Sequence, residues 1–125
     1  MKKSRIASGR SSRKGTGASK GSSKTRRLRV GKRTWTVKWV ADVPKAANHL
    51  PLYGFRGVRG NILGLVDEPL SRILIKEDLS DFEEQATLFH ELLHVASPTL
   101  SELHVARIER VLYPLLRRYG LRLPT

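Results

Sequence analysis

The sequence predicts an α+β domain in which a short antiparallel sheet packs on two helices. Apolar and polar residues alternate in short segments between residues 33 and 79, and this two-residue period is typical of strands. Two longer segments follow, with capping residues at their starts and apolar residues at three- and four-residue steps, as in amphipathic helices. Strands that precede helices, instead of alternating with them, favour the α+β class.

The basic residues are concentrated at the N-terminal end of the 125-residue chain. Residues 1–33 contain 13 of the 24 Lys and Arg residues and none of the 11 acidic residues, so the formal charge of +13 belongs to this segment. Residues 34–125 are neutral overall. The segment is mostly Ser, Gly, Lys and Arg, and it lacks the apolar surface that would offset the entropy lost on folding. We therefore predict a disordered basic tail over residues 1–33 and a folded domain over residues 34–125.

A tail of this composition predicts a polyanionic partner. Lysine and arginine would contact phosphates and release counterions, so nucleic acid is the partner expected for residues 1–33. A solubilising extension or a localisation signal fits the same composition.

The first predicted strand lies in RTWTVKWVADV, residues 33–43. Trp35, Val37 and Trp39 fall on one face and alternate with polar residues, as in a half-buried strand. We expect both tryptophans in the core, and Pro44 ends the strand.

Two further strands are predicted in ILGLVD and SRILIKEDL, residues 62–67 and 71–79. Both are short apolar runs rich in Ile, Leu and Val, and only a few residues separate them, so an antiparallel pair is expected. The preceding segment, residues 45–61, is rich in turn-forming residues.

The first predicted helix lies in LSDFEEQATLFHELLHVAS. Ser80 is the expected N-cap, and Glu83 three residues later completes a capping box. Pro98 ends the helix. The apolar stripe expected to face the core consists of Phe82, Ala86, Phe89, Leu93 and Ala96.

The second predicted helix lies in TLSELHVARIERVLYPLLRRYG. Thr99 or Ser101 caps its start, and Gly120 ends it. Pro114 lies inside the helical pattern, so we expect this proline to kink or divide the helix.

The first of these helices contains the motif HELLH at residues 90–94. Residues four apart lie on one face of a helix, so His90 and His94 can direct their imidazoles at one metal ion. Zinc, which takes nitrogen ligands at about 2.0–2.1 Å, suits this spacing. Glu91 lies beside the first histidine and can act as general base for a zinc-activated water that attacks a peptide carbonyl. The alternative is an ordinary helix that carries two histidines and a solvated glutamate.

A catalytic zinc needs a third protein ligand, and three residues are candidates. Glu102 is preferred because it opens the second helix, just after a turn that would fold that helix back towards His94. His104 is the alternative, since it points away from Glu102 on a helix. Glu109 ranks third as a ligand. It shares a helix face with Glu102 and could orient a ligand histidine without binding the metal itself.

The segment LSRILIKEDLSDFEEQATLFHELLHVA resembles the small zincin-like metallopeptidases of bacteriophages and prophages. In that family a strand and an acidic helix start precede TLxHELLHA and a final helix that opens with LSE. LYGFRGVRGNILGLVD is similar to the family's preceding turn and strand, and the ImmA/IrrE-type and SprT-like metalloproteases are more distantly similar. The resemblance covers roughly residues 50–120. It implies a minimal zincin-like domain, Zn²⁺ as cofactor, His90 and His94 as zinc ligands, Glu91 as catalytic acid and base, and Glu102 as third ligand.

The motif and the resemblance together predict a zinc metallopeptidase, a hydrolase that acts on a protein or peptide. The alternative is a nucleic-acid-binding phage protein with a structural or vestigial zinc site. A phage assembly factor that processes or docks one partner is a third possibility.

The composition also indicates the cellular compartment in which the protein is expected. The chain has no cysteine, which excludes disulfides, cysteine zinc fingers and a cysteine nucleophile. No apolar run is long enough to span a bilayer, and the N-terminus lacks the apolar core of a secretory signal. We therefore expect no membrane partner and a cytoplasmic location, in the host cell if the protein is phage-encoded. His49 has no partner at metal spacing and is expected on the surface.

Overall fold

The structure, a computed structural model, describes residues 24–47, 55–58 and 60–125. Five strands of these parts form one sheet, and helices pack on it, so the predicted α+β class is confirmed. The strand order is β1-β2-β5-β4-β3. The elements are β1 Thr25–Val30, β2 Arg33–Val40, α1 Val43–Ala46, β3 Phe55–Val58, β4 Asn61–Asp67, β5 Arg72–Lys76, α2 Asp81–Ala96 and α3 Glu102–Arg118.

The sheet is mixed, whereas the sequence predicted an antiparallel one. β4 and β5 form the antiparallel pair that was expected. β2, however, pairs with β5 in parallel, with Val37 opposite Ile73. Parallel neighbours need a long crossover connection, and here α1, β3 and β4 lie between β2 and β5 in the chain. A pattern of short apolar runs does not reveal this pairing, because both strand directions present the same alternation.

The predicted boundary between tail and domain at residue 33 is wrong for the last residues of the tail. Residues 25–30 form β1, which pairs with β2 along its whole length. Leu28 and Val30 supply apolar contacts to the core, and Lys24 lies over the ring of Trp39 at 4.4 Å from its centroid. The net charge concealed this strand, since its apolar residues alternate with arginines. Residues 1–23 lie outside the described part of the chain, as does His49.

Helix α2 packs on the sheet and on α3. Leu88 inserts between the apolar side chains of the sheet, which are Trp35, Val37, Trp39, Ile73 and Ile75. Both tryptophans are in the core, as predicted. Ala86 and Phe89 pack against Tyr113 of α3. Phe82 and Ala96, which were expected in the core stripe, are exposed. The buried face of α2 includes Leu88 and Glu91 instead.

The helix ends follow the predicted capping residues. Ser80 caps α2 and accepts a hydrogen bond from the Glu83 backbone N–H at 3.2 Å. Ser101, and not Thr99, caps α3. Helix α3 continues through Pro114, which does not divide it. This proline lies on an exposed face, so its missing N–H removes one helical hydrogen bond without a buried carbonyl losing its partner.

On the other face of the sheet, α1 covers part of β4 and β5. Val43 and Ala47 pack on Ile62, Leu65 and Leu74. Within the described residues, no helix has the length and apolar character that crossing a membrane requires.

Candidate metal centre

Three side chains from two helices converge at one point. His90 and His94 come from α2, and Glu102 comes from the first turn of α3. One ligand atom from each lies within 4.8 Å of the others. His90 Nε2 is 2.9 Å from Glu102 Oε1, and His94 Nε2 is 3.2 Å from the same oxygen. The structure thus brings together the three residues that were proposed as ligands.

Local sequence explains why the three side chains meet. His90 and His94 are one helical turn apart, and their ring centroids are separated by 5.1 Å. The chain then reverses in a tight turn, in which the Leu100 N–H donates to the Ser97 carbonyl. Because Ser101 caps the next helix at once, Glu102 occupies its first position and faces back to α2.

His104, the alternative third ligand, lies away from this point. Its side chain is exposed, and its Nδ1 is 3.1 Å from the Ser101 hydroxyl. A two-residue step along a helix turns the side chain through more than half a turn, so His104 and Glu102 cannot face the same histidines.

Glu91 lies beneath the histidines with its carboxyl group between α2 and the sheet. Its side chain is fully buried, and neither carboxylate oxygen has a hydrogen-bond partner among the described residues. Burial raises the pKa of Glu91 well above its usual value, and the nearby charge of Glu102 raises it further. The backbone N–H and the charge of Arg56 oppose this rise only in part, and that N–H lies outside hydrogen-bonding geometry.

A glycine in the sheet makes room for this glutamate. A Cβ atom on Gly64 of β4 would lie 2.5 Å from Thr87 Cγ2 and 3.1 Å from Glu91 Oε2. Side chains do not approach so closely, and only glycine allows α2 to pack this near to β4. Gly64 therefore sets the position of Glu91 relative to the sheet.

Glu109 contacts the ring nitrogen of His90 that does not face Glu102. Its Oε1 is 2.9 Å from His90 Nδ1, as expected for a residue that orients a ligand histidine. Arg56 of β3 holds Glu109 in turn, with its Nη2 at 2.7 Å from Oε2, and also pairs with Glu83 at 2.6 Å. Burial alone would raise the pKa of Glu109, but hydrogen bonds from His90 and Arg56, with their charges, lower it.

The donor set fits a zinc ion. Both nitrogens of His90 face carboxylate oxygens at 2.9 Å, yet a neutral imidazole has a single N–H to donate. An N–H at Nδ1 that donates to Glu109 leaves the Nε2 lone pair free for a metal. His94 Nε2 and Glu102 Oε2 are buried and have no hydrogen-bond partner among the described residues, since the 3.2 Å approach of His94 to Glu102 does not have hydrogen-bonding geometry. Two imidazoles and a carboxylate are a common ligand set of catalytic zinc.

An open cleft leads to two of the candidate metal ligands, His90 and Glu102. It has a volume of about 660 Å³ and lies between β3 and α3. Its polar wall contains His90, Glu102 and Glu109, and the apolar remainder includes Phe55, Val58, Leu103 and Ala106. His90 and Glu102 are therefore accessible from solvent.

Arg56 and Gly64 are the residues of this site that the sequence did not identify. Arg56 lies in GFRG within a turn-rich segment, 53 positions before Glu109, and no local pattern connects the two. Gly64 interrupts the apolar run ILGLVD, and a glycine inside a strand can mark a close approach of another element. That signal was present in the sequence, but it did not show which element approaches.

Comparison of the chain with protein-family models, with curated proteins and with solved structures finds no match. The resemblance to phage zincin-like metallopeptidases remains a prediction. A function for this protein therefore has to be argued from the geometry of the site.

Proposed function

We propose that this protein is a zinc-dependent metallopeptidase in which His90, His94 and Glu102 hold the metal and Glu91 is the general base. One observation carries the proposal. Three ligand atoms lie within 4.8 Å of one another, and a buried, unpartnered carboxyl group belongs to the residue next to the first ligand. A carboxyl group in such a place costs folding free energy unless a cation or hydrogen-bond donor compensates it, and a catalytic role or a bound ion is a common reason for such a group.

The number of ligands favours a catalytic over a structural zinc site. Structural zinc sites are closed by four protein ligands, whereas catalytic sites have three and an open position. Within the described residues only His90, His94 and Glu102 form such a group, and the cleft opens onto them. This observation favours the peptidase over a nucleic-acid-binding protein with a structural zinc site.

The cleft favours an extended peptide as substrate. β3 is an edge strand, because its only partner among the described strands is β4. An extended segment can add to such an edge through main-chain hydrogen bonds. β3 lines the cleft along Phe55–Val58, so a peptide at this edge would pass beside His90 and Glu102.

Each side chain of the site has a distinct part in the chemistry. A zinc ion, when bound, supplies a Lewis acid that polarises the scissile carbonyl and lowers the pKa of water. With a zinc ion bound nearby, whose charge would favour the ionised form of Glu91, the carboxylate would accept a proton from the attacking water and return it to the leaving amine as the C–N bond breaks. Glu109 and Arg56 keep the His90 ring in one orientation. Burial under α2 protects the Glu91 carboxylate from solvent that does not take part in the reaction.

Substitution Glu91→Gln tests the proposal. The variant keeps the shape of the side chain and the three ligands, so it should bind one zinc per chain. Cleavage of an unfolded protein such as casein should fall by about 10²–10⁴-fold, the usual contribution of a general base. Zinc is measured by elemental analysis of the dialysed protein, and cleavage by the release of peptides.

Glu84→Gln is the matched control, since it makes the same change on the same helix. Glu84 pairs with Lys24 at the surface, and its loss should leave both zinc content and cleavage unchanged. A wild-type protein without stoichiometric zinc, or a Glu91→Gln variant that cleaves at the wild-type rate, would overturn the proposed function.

A further inference from the structure

The face of β1 and β2 that points away from α2 has an unusual composition. In an antiparallel pair, residues directly opposite each other lie on the same face. Arg27 is opposite Thr36, Arg29 is opposite Thr34, and Thr25 is opposite Lys38, while the tryptophans of β2 point to the other face. We call this surface the outer β1–β2 face, and it consists of Thr25, Arg27, Arg29, Thr34, Thr36 and Lys38.

The three cations of the outer β1–β2 face have no acidic partners among the residues that the structure describes. Within the described part of the chain, no ion pair involves Arg27, Arg29 or Lys38. Other cations of this region do form ion pairs, as Arg33 does with Glu68 at 2.6 Å. Both arginines are exposed, and the Arg29 side chain donates from Nε to the Gly31 carbonyl. The face thus combines uncompensated positive charge with threonine hydroxyl groups.

The composition of the face selects among anionic partners. It contains no aromatic side chain on which bases could stack, so single-stranded nucleic acid is not favoured. It also contains no apolar side chain to insert into a lipid surface. Arginine, lysine and hydroxyl groups are the side chains that contact phosphate oxygens of a duplex.

The N-terminal segment extends the same charge. Residues 1–23 contain seven Lys and Arg residues and no acidic residue, and the chain from them enters β1 directly. The metal centre lies across the sheet, on the side of α2 and near the opposite edge strand, β3.

We propose that the outer β1–β2 face binds the phosphodiester backbone of double-stranded nucleic acid, without base recognition and independently of the metal centre. The arginines of β1 are two residues apart, so their side chains leave the strand about 6.6–6.8 Å from each other on the same face. Lys38 widens the cationic surface onto β2. Binding at this surface leaves the cleft open to a peptide.

The test is the salt dependence of binding by the full chain. Affinity for a short duplex DNA of arbitrary sequence is measured by fluorescence anisotropy at several salt concentrations. The variant Arg27→Gln/Arg29→Gln/Lys38→Gln should bind more weakly, and the slope of log K against log salt should fall in magnitude by about three, one for each lost phosphate contact. A duplex RNA of the same sequence should give the same change in slope.

A matched control distinguishes binding at the outer β1–β2 face from attraction by the total charge of the protein. Arg107, Arg110 and Arg118 are exposed cations of α3, and none forms an ion pair within the described residues. Their replacement by glutamine removes the same charge, and the slope should change by less than one. The charge-preserving variant Arg27→Lys/Arg29→Lys should retain the wild-type slope, which shows that the fold tolerates change at these positions.

Three results would overturn the proposal. The first is an unchanged slope in the triple variant, which would assign binding to other cations. The second is an equal loss of slope in the α3 control, which would indicate general charge attraction. The third is equally strong binding to phosphatidylserine vesicles with the same loss in the triple variant. Loss of zinc or of cleavage in the Glu91 experiment bears on the peptidase and leaves this proposal unaffected.

Discussion

His90 is the residue on which the site depends most, because each of its ring nitrogens faces a different carboxylate. Glu102 faces Nε2, and Glu109 faces Nδ1, both at 2.9 Å. We propose the first carboxylate as a metal ligand together with the histidines, and the second as the group that fixes the ring. We infer this division from Arg56, which binds Glu109 through two nitrogens, whereas no Lys or Arg of the described residues pairs with Glu102.

We therefore predict that Glu109→Gln weakens zinc binding without removing a ligand. The loss of an outer carboxylate partner typically lowers metal affinity by about 10–100-fold, because the histidine loses its fixed orientation and some of its basicity. Competition with a chromophoric chelator measures the affinity.

Glu83→Gln serves as the control for this change. It also removes a partner of Arg56, but it leaves the contact between Glu109 and His90 in place. Equal affinities for zinc in Glu109→Gln and wild type would contradict the role of Glu109.

At the scale of secondary structure, the contact between α2 and β4 positions Glu91, the proposed general base. We predict that Gly64→Ala lowers the free energy of unfolding by about 1–3 kcal/mol, as overpacking does, because its Cβ meets Thr87 Cγ2. Urea unfolding measures the change.

The second variant in this test is Gly64→Ala/Thr87→Ser. Serine lacks the Cγ2 methyl and keeps the hydroxyl that accepts from Arg56, so the double variant should regain part of the lost stability. Additive effects of the two substitutions would show that the methyl is not the obstacle.

Strand β1 allows a test of where the folded domain begins. Leu28 packs against the core beside Trp35, whereas its neighbour Arg27 is exposed. We predict that Leu28→Ala lowers the free energy of unfolding by about 1 kcal/mol or more, and that Arg27→Ala changes it by less than about 0.5 kcal/mol. If residues 24–33 were a disordered tail, both substitutions would be neutral in urea unfolding.

The elements that could be predicted from the sequence are those whose signals are local. Helix α2 has its cap at Ser80, and β4 and β5 are neighbours in sequence and in space. β1 and β3 were missed, because arginines and glycines occupy their positions and their partners alone make them strands. The parallel pairing of β2 with β5 is likewise set by contacts between distant residues.

The residues of the candidate site also divide into those with a local sequence signal and those placed by contacts between distant residues. His90, Glu91 and His94 are visible in one five-residue motif, and Glu102 follows from a short turn. Arg56 could not be identified, because its contact with Glu109 forms only when β3 joins the sheet.

At the scale of the whole molecule, two surfaces lie at opposite edges of the sheet. β3 borders the cleft to the metal ligands, and β1 carries the cations of the outer β1–β2 face. This separation predicts that nucleic acid and a peptide can be bound at the same time. The formal charge of +13 thus arises from residues 1–33 and says little about the chemistry at the cleft.

The most direct test of the metal centre is the zinc content of wild type beside Glu102→Ala and His104→Ala. Each full-length protein is loaded with zinc, dialysed against a weak chelator and analysed for metal. We predict one zinc per chain in wild type and in His104→Ala, because His104 points away from the site. Glu102→Ala should retain much less, because two histidines alone hold zinc weakly. A wild-type protein without zinc, or a Glu102→Ala variant that holds it as tightly as wild type, would contradict the account.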